Sequence, residues 1–450
     1  MMEDPEPTPL SPPPSIAFTG ETPGGFPATL VRFGALAAAD FASKGLVFIT
    51  IPIIIRHFGD HAFGDIGVAG QMMTFALLLG TSGLDIYSVR TIAGSREVVG
   101  RWTTTIILLR LLLGLVAYAV LLAVAALMPQ FRPLMTLVAI FGLSLFTRAT
   151  YLDWAAQALQ RTHTMATAMI TTQAAYLALI LFIVTTQWTV ASVPLAQVVA
   201  EGATASWLLI WFNRNVARLE RPLPFREWPQ LLRHSLPFAG SQLLRGAALG
   251  LDLVLLGAFL VPSNQIGWFS GALKLFLLCG GTITVYCMIL LPRLSSRFAI
   301  SADAMRGELR RSMQTMLPLS AVAAVTVGAA ARPLLRMVGG SAAFEQAAPS
   351  LQVLLASLVI ALVNGHIRNA LFAMGRQRLD LRIVAGSTAV HLVLKISMIP
   401  LLGILGVALG TLGGETALLL LGIWVLRREL SRADAVGPPP HSPATTTPGN

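Results

Sequence analysis

The chain has 450 residues, of which 55% are hydrophobic and only 12% charged, with a mean hydropathy of +0.71 and a net charge of +11. This balance lies outside the range of ordinary soluble domains. Nor is the basic excess a nucleic-acid patch: the arginines mostly fall between apolar stretches, while all three lysines, Lys44, Lys274 and Lys395, fall inside them.

In chain order, residues 1–30 are rich in proline and lack the basic start and apolar run of a signal peptide, so they read as a disordered tail. Twelve apolar spans follow, at roughly 31–55, 62–90, 102–128, 134–158, 165–187, 190–212, 235–260, 266–292, 312–331, 348–374, 379–401 and 403–426. Each is near the ~20 residues that cross a hydrocarbon core. The predicted class is an all-α polytopic membrane protein. Its units are a first lobe (31–212, helices 1–6), a linker (213–234), a second lobe (235–427, helices 7–12) and a disordered tail (428–450).

The arginines test this count. Arg90, Arg96, Arg101, Arg161, the five of the linker, the five from Arg293 to Arg311, Arg376, Arg378, Arg382, Arg427, Arg428 and Arg432 all fall on one side. The other side carries Arg56, Arg132, Arg332 and Arg336. Basic loops stay cytoplasmic, so both termini are expected there, and one span more or fewer would scramble the bias.

An internal repeat accompanies the count. Residues 62–71 (AFGDIGVAGQ) overlay 265–274 (QIGWFSGALK) at an offset of 203, which also sets Arg90 on Arg293. Two six-helix halves of like orientation follow, and parallel repeats place a transported substrate between the halves near the midplane.

Charges inside spans are the candidate functional groups, because a charge at the bilayer centre costs about 2.5–3.5 kcal/mol unless it meets a partner or water. Span 1 carries Arg32, Asp40 and Lys44, with Asp40 and Lys44 one turn apart and able to pair. Span 7 carries Arg245 and Asp252, span 8 Lys274, span 11 His391 and Lys395, and span 12 Glu415. Arg32, Lys44, Arg245, Lys274 and Lys395 form the candidate cationic site, with the first four expected to face one another across a central cavity. Asp40, Asp252 and Glu415 are the candidate counter-charges, and Asp252 is the candidate for ion coupling.

Weaker candidates are Arg148 and Asp153, expected to snorkel; His366 and Arg368, near Asn364 and Asn369; and Arg110 and Glu201, read as single charges. Gly406, Gly410 and Gly414 share one face of span 12 and predict close helix packing. No phosphate-cradling loop, paired catalytic carboxylates or metal-spaced cluster is present, and Cys279 and Cys287 share one span, so neither a cofactor, a metal nor an enzymatic activity is expected.

Ordered motifs then carry a resemblance. Pro52…Arg56…Gly59 with Phe63-Gly64, Gly83-Leu84…Arg90, and Trp154…Gln157…Arg161 run through the first half. Leu236-Pro237, Leu251-Asp252, Ile266-Gly267-Trp268…Lys274, Leu291-Pro292, and Ile399-Pro400…Gly403…Gly406…Gly410 run through the second. Together they resemble the polysaccharide (oligosaccharide-lipid) flippases of the MOP superfamily, a Wzx-like group related to MATE exporters, over nearly residues 31–427. The resemblance implies two six-helix lobes in a V that alternates its opening across the inner membrane. It also implies a polyprenyl-pyrophosphate-linked glycan as cargo, a membrane-lipid environment, and polysaccharide polymerase or export proteins as partners. The rival readings are a MATE-like exporter of cationic drugs, which favours acidic over basic cavity groups, and a non-transporting scaffold.

Overall fold

In hydrocarbon every backbone N–H and C=O needs a partner within the protein, which leaves helices as the form open to apolar spans of this length. The computed structural model describes residues 25–81, 83–85, 88–89 and 99–436, and every regular element in them is helical. The tail residues 1–24 and 437–450, and the connection carrying Arg90 and Arg96, lie outside the described residues.

Helix α1, Gly25–Thr81, starts inside the expected tail and runs through the first two predicted spans. It bends at Gly59, whose φ of 85° and ψ of 170° suit a residue without Cβ. Helix α2 is Val99–Leu127. The fourth span is broken into α3 (Met135–Gly142), α4 (Ser144–Ala149) and α5 (Asp153–Ala158). Helices α6 (Thr162–Thr186) and α7 (Ser192–Asn215) complete the first half.

The seventh span, expected as one helix, divides at Leu251 into α8 (Trp228–Gly250) and α9 (Asp252–Ala258). Then come α10 (Ser263–Ile300), α11 (Ala302–Ala329), α12 (Ala331–Gly339), α13 (Ala348–Ala373), α14 (Gln377–Leu402) and α15 (Ile404–Val436). Among the described residues, nine helical stretches are long and apolar enough to cross a membrane by length and composition. The first of them, Ala38–Thr81, holds two predicted spans across the Gly59 bend.

The first-half helices pack on one another, α1 against α2 and α6, and α4 against α2 and α7. The second-half helices do likewise, α15 against α13 and α14, and α13 against α10 and α11. The halves meet where α1 crosses α8, α9 and α10. The largest buried cluster joins both halves at the end of the bundle that holds the Gly59 bend, and includes Ile55, Phe63, Phe131, Phe141, Leu256, Phe269 and Phe344. Toward the opposite end the buried clusters are separate, one around Trp102, Trp154 and Phe212 that also takes in Trp228 and Leu231 of α8, the other around Leu294, Met305 and Leu371. Among the described residues the cluster shared by both halves lies at the Gly59 end.

The contact there rests on the repeat. A Cβ on Gly64 would stand 1.9 Å from the Ser263 carbonyl oxygen, and one on Gly267 would stand 2.2 Å from the Asp60 carbonyl oxygen. The offset of 203 maps Gly64 onto Gly267 and Asp60 onto Ser263, so the repeated segments touch through equivalent atoms about a local two-fold. Trp268 Nε1 also donates to Asp60 Oδ2 at 2.8 Å.

Any side chain at Gly64 or Gly267 must therefore part the helices here. Gly64→Val and Gly267→Val are expected to lengthen the distance between spin labels at His61 and Asn264, measured by pulsed electron paramagnetic resonance, relative to the same labels on the unsubstituted protein.

Candidate functional site

On α10 the residues Gly267, Lys274 and Gly281 are spaced by seven, two turns apart, and share one face. Gly267 touches Asp60 and Gly64 of α1, and a Cβ on Gly281 would meet Lys44 Nζ of α1 at 3.0 Å. Lys274 lies between these two contacts, yet its side chain is exposed. The exposed Lys274 therefore stands on the face of α10 that turns to α1, between one contact with each arm of α1. Lys44, beside Gly281, is half-exposed and pairs with Asp40 at 2.5 Å. The side chains of Arg32 and Arg245 lie outside the described residues; their backbones belong to α1 and α8.

The remaining spans' charges are mostly buried and paired. Lys395 of α14, expected in the cavity, is fully buried, and its Nζ pairs with Asp252 Oδ1 at 2.5 Å. Asp252 thus finds a partner in span 11, at Lys395. It is the first residue of α9, where the break at Leu251 frees backbone N–H groups. Gln71 of α1 answers that need: its Oε1 accepts from the Leu253 and Val254 amides, so a first-half side chain caps a second-half helix.

The glycine face of α15 lets α14 come close enough to bury Lys395. A Cβ on Gly406 would lie 2.5 Å from the Met398 carbonyl oxygen, and one on Gly410 would lie 2.9 Å from the Lys395 amide nitrogen. Gly414 receives the buried His391 ring in the same way. Beside it, Glu415 is buried and accepts from Asn364 Nδ2 at 2.7 Å. Arg368 makes a two-point contact with Asp380, at 2.7 and 3.1 Å.

The first half repeats the pattern. Arg110, read from sequence as a single charge, is buried and paired with Asp85. Glu201, read likewise, is buried 3.4 Å from Arg148 and accepts from Thr147 Oγ1 at 3.2 Å. Arg148 accordingly turns toward Glu201, against the expectation of snorkelling. Sequence reasoning missed these pairs because their members stand far apart along the chain. The signal available was that each carboxylate inside a span must find a donor. Among the described residues no group of three or more His, Cys, Asp or Glu side chains could hold a metal ion.

The described helices form a multi-pass membrane bundle of two packed groups. Solved structures share it. The lipid II flippase MurJ in its inward closed conformation superposes with a TM-score of 0.73 at 13% identity, covering 89% of this chain and 90% of that one. An inward-facing multidrug resistance MATE family transporter of the MOP superfamily gives 0.71 at 14% identity, covering 88% and 96%. An outward-facing transporter of that description gives 0.57 at 15% identity, covering 90% and 96%. No curated protein matches the sequence. Residues 31–298 match the family of polysaccharide biosynthesis proteins, and the chain belongs to that family, whose fold is that of transporters and flippases.

Removing one member of the Asp252–Lys395 pair leaves an uncompensated buried charge, which costs about 3–5 kcal/mol, whereas replacing both with apolar groups of similar volume is near neutral. Asp252→Leu and Lys395→Met are each expected to lower the thermal unfolding temperature in detergent, and the double variant to recover most of the loss.

Proposed function

We propose that this protein flips a polyprenyl-pyrophosphate-linked oligosaccharide from the cytoplasmic to the periplasmic leaflet of the inner membrane, for the synthesis of an exopolysaccharide, O-antigen or capsule. The observation that supports this reading is the exposed Lys274 on the α1-facing side of α10, with the half-exposed Lys44 of α1 beside Gly281 on the same face; in this reading the two border a cationic crevice. A pyrophosphate entering hydrocarbon requires cations that can form charge-assisted hydrogen bonds, and ammonium groups kept accessible at mid-depth supply them. Asp40 holds Lys44 in place and moderates its charge. Arg32 and Arg245, on the helices that border the crevice, extend the cationic set.

Lys395 takes a different role from the two crevice lysines. Buried against Asp252, it neutralises that carboxylate and does not contact cargo, while Glu415 serves as a fixed counter-charge within the second half. The arginine bias sets both termini and the end of the bundle opposite Gly59 in the cytoplasm, so the described state opens inward. Parting of the Gly64–Gly267 seal, with closure of the far end, delivers the head group outside. The sugar chain then passes to a polymerase or export protein. A MATE-like exporter of cationic drugs is the second reading, and the crevice lysines disfavour it because they repel a cation.

The test is flipping of a fluorescent polyprenyl-pyrophosphate oligosaccharide in proteoliposomes. Each hydrogen bond to a charged group contributes about 1.5–3 kcal/mol, so Lys274→Ala and Lys44→Ala are each expected to weaken cargo affinity by roughly ten- to a hundredfold while inserting normally, with Lys274→Arg retaining most of it. Drug efflux without glycolipid flipping would favour the exporter, and unimpaired polysaccharide production by a non-flipping variant would favour the scaffold.

A further inference from the structure

The seam between α10 and α11 holds two features that the crevice does not use. Within the span region an apolar groove of about 220 Å³ is lined by Cys279, Ile283, Met316, Leu319, Ala323 and Leu358. Two turns further along the same helix pair, a cleft of about 420 Å³ is lined by Arg293, Ser296, Arg297 and Glu308. On α10 the positions 279, 283, 286, 293 and 297 follow three- and four-residue steps or their sums, and on α11 the positions 308, 312, 316, 319 and 323 do the same. Each set forms one helix face. Tyr286, which also lines the groove, bonds across the seam to Ser312, which bonds onward to His366 at 2.8 Å.

Both features lie on the outer wall of the second half. α11 packs chiefly on α10 and α13, and its Leu319, Val322 and Val325 are exposed. At 100° per residue, Cys279 and Ile283 stand roughly 140° and 180° around α10 from Lys274, away from the crevice.

Hydrocarbon is what surrounds a groove at this depth, so a lipid chain is its natural occupant. The cleft selects the head group. Glu308 lies 3.9 Å from Arg297 and offsets one positive charge, which leaves Arg293 in excess, with Arg310 and Arg311 exposed on the next turn of α11. The rise from Tyr286 to Arg293 is about 10 Å at 1.5 Å per residue, within the reach of one phospholipid from chain to phosphate. Basic pockets between spanning helices at a membrane surface are sites for anionic head groups.

We propose that the α10–α11 seam is a binding site for an anionic phospholipid of the surrounding bilayer, its phosphate on Arg293 and Arg297 and one acyl chain in the groove beside Leu319 and Ala323. The site depends on the membrane setting of the chain and not on the identity of the cargo.

The full-length protein, purified in mild detergent and supplied with phosphatidylglycerol or phosphatidylcholine, tests it by native mass spectrometry. Retention of phosphatidylglycerol is expected to exceed that of phosphatidylcholine by roughly tenfold. The double variant Arg293→Gln/Arg297→Gln should lose that preference. Ala323→Trp, at an exposed position, should displace the chain and reduce retention without touching the arginines, whereas Lys274→Ala should leave retention unchanged. Equal retention of the two lipids, full retention by the arginine variant, or loss of phosphatidylglycerol to an equal amount of polyprenyl phosphate would overturn the assignment, the last by making the seam a cargo site.

Discussion

A charge inside hydrocarbon must meet a partner or meet water, and that constraint sorts nearly every polar feature of this protein. Asp252 and Lys395, Asp85 and Arg110, Glu201 and Arg148, and Asp380 and Arg368 meet partners on other helices. Glu415 meets the Asn364 amide. These contacts fasten helices within each half and occupy the charges that take part in them. Among the described residues, Lys274 departs from this pattern. Its side chain is exposed on a helix face that otherwise touches α1, so the protein keeps a cation accessible where insertion costs most. Such an expense implies use.

The halves are joined by a different kind of contact. Gly64 and Gly267 bring two backbones together without side chains, and Trp268–Asp60 and the Gln71 cap add a few polar ties. Small residues at a helix crossing permit close approach, and an interface of this kind can separate without stranding a buried charge. The interior of the second half could not part so easily, since Lys395 and His391 are set into the glycine face of α15.

The spans, the internal repeat and the membrane class were legible because each depends on composition or on a local period. Long apolar runs, arginine-rich connections and the Gly64/Gly267 correspondence need no knowledge of distant contacts. The glycine face of span 12 was legible for the same reason, since residues four apart share a face whatever surrounds them. Charge pairing was not. Asp252 and Lys395 are separated by 143 positions, and nothing in the neighbourhood of either names the other. The break at Leu251 escaped notice because the amides it frees are satisfied by Gln71, on a helix of the other half. Lys395 and Lys274 look alike in sequence, each a lone lysine in an apolar span; what separates them is which face of the helix meets a carboxylate and which meets an opening.

Everything proposed about cargo depends on that opening, so the most direct measurement is the accessibility of position 274. In a variant with Cys279 and Cys287 replaced by serine, Lys274→Cys in sealed inside-out vesicles would be exposed to a membrane-impermeant thiol reagent, with and without inorganic pyrophosphate. The crevice predicts prompt labelling from the cytoplasmic face, slowed by pyrophosphate, while a control cysteine at the lipid-facing position Leu319 stays unlabelled. Labelling at 274 only by lipid-soluble reagents would contradict it.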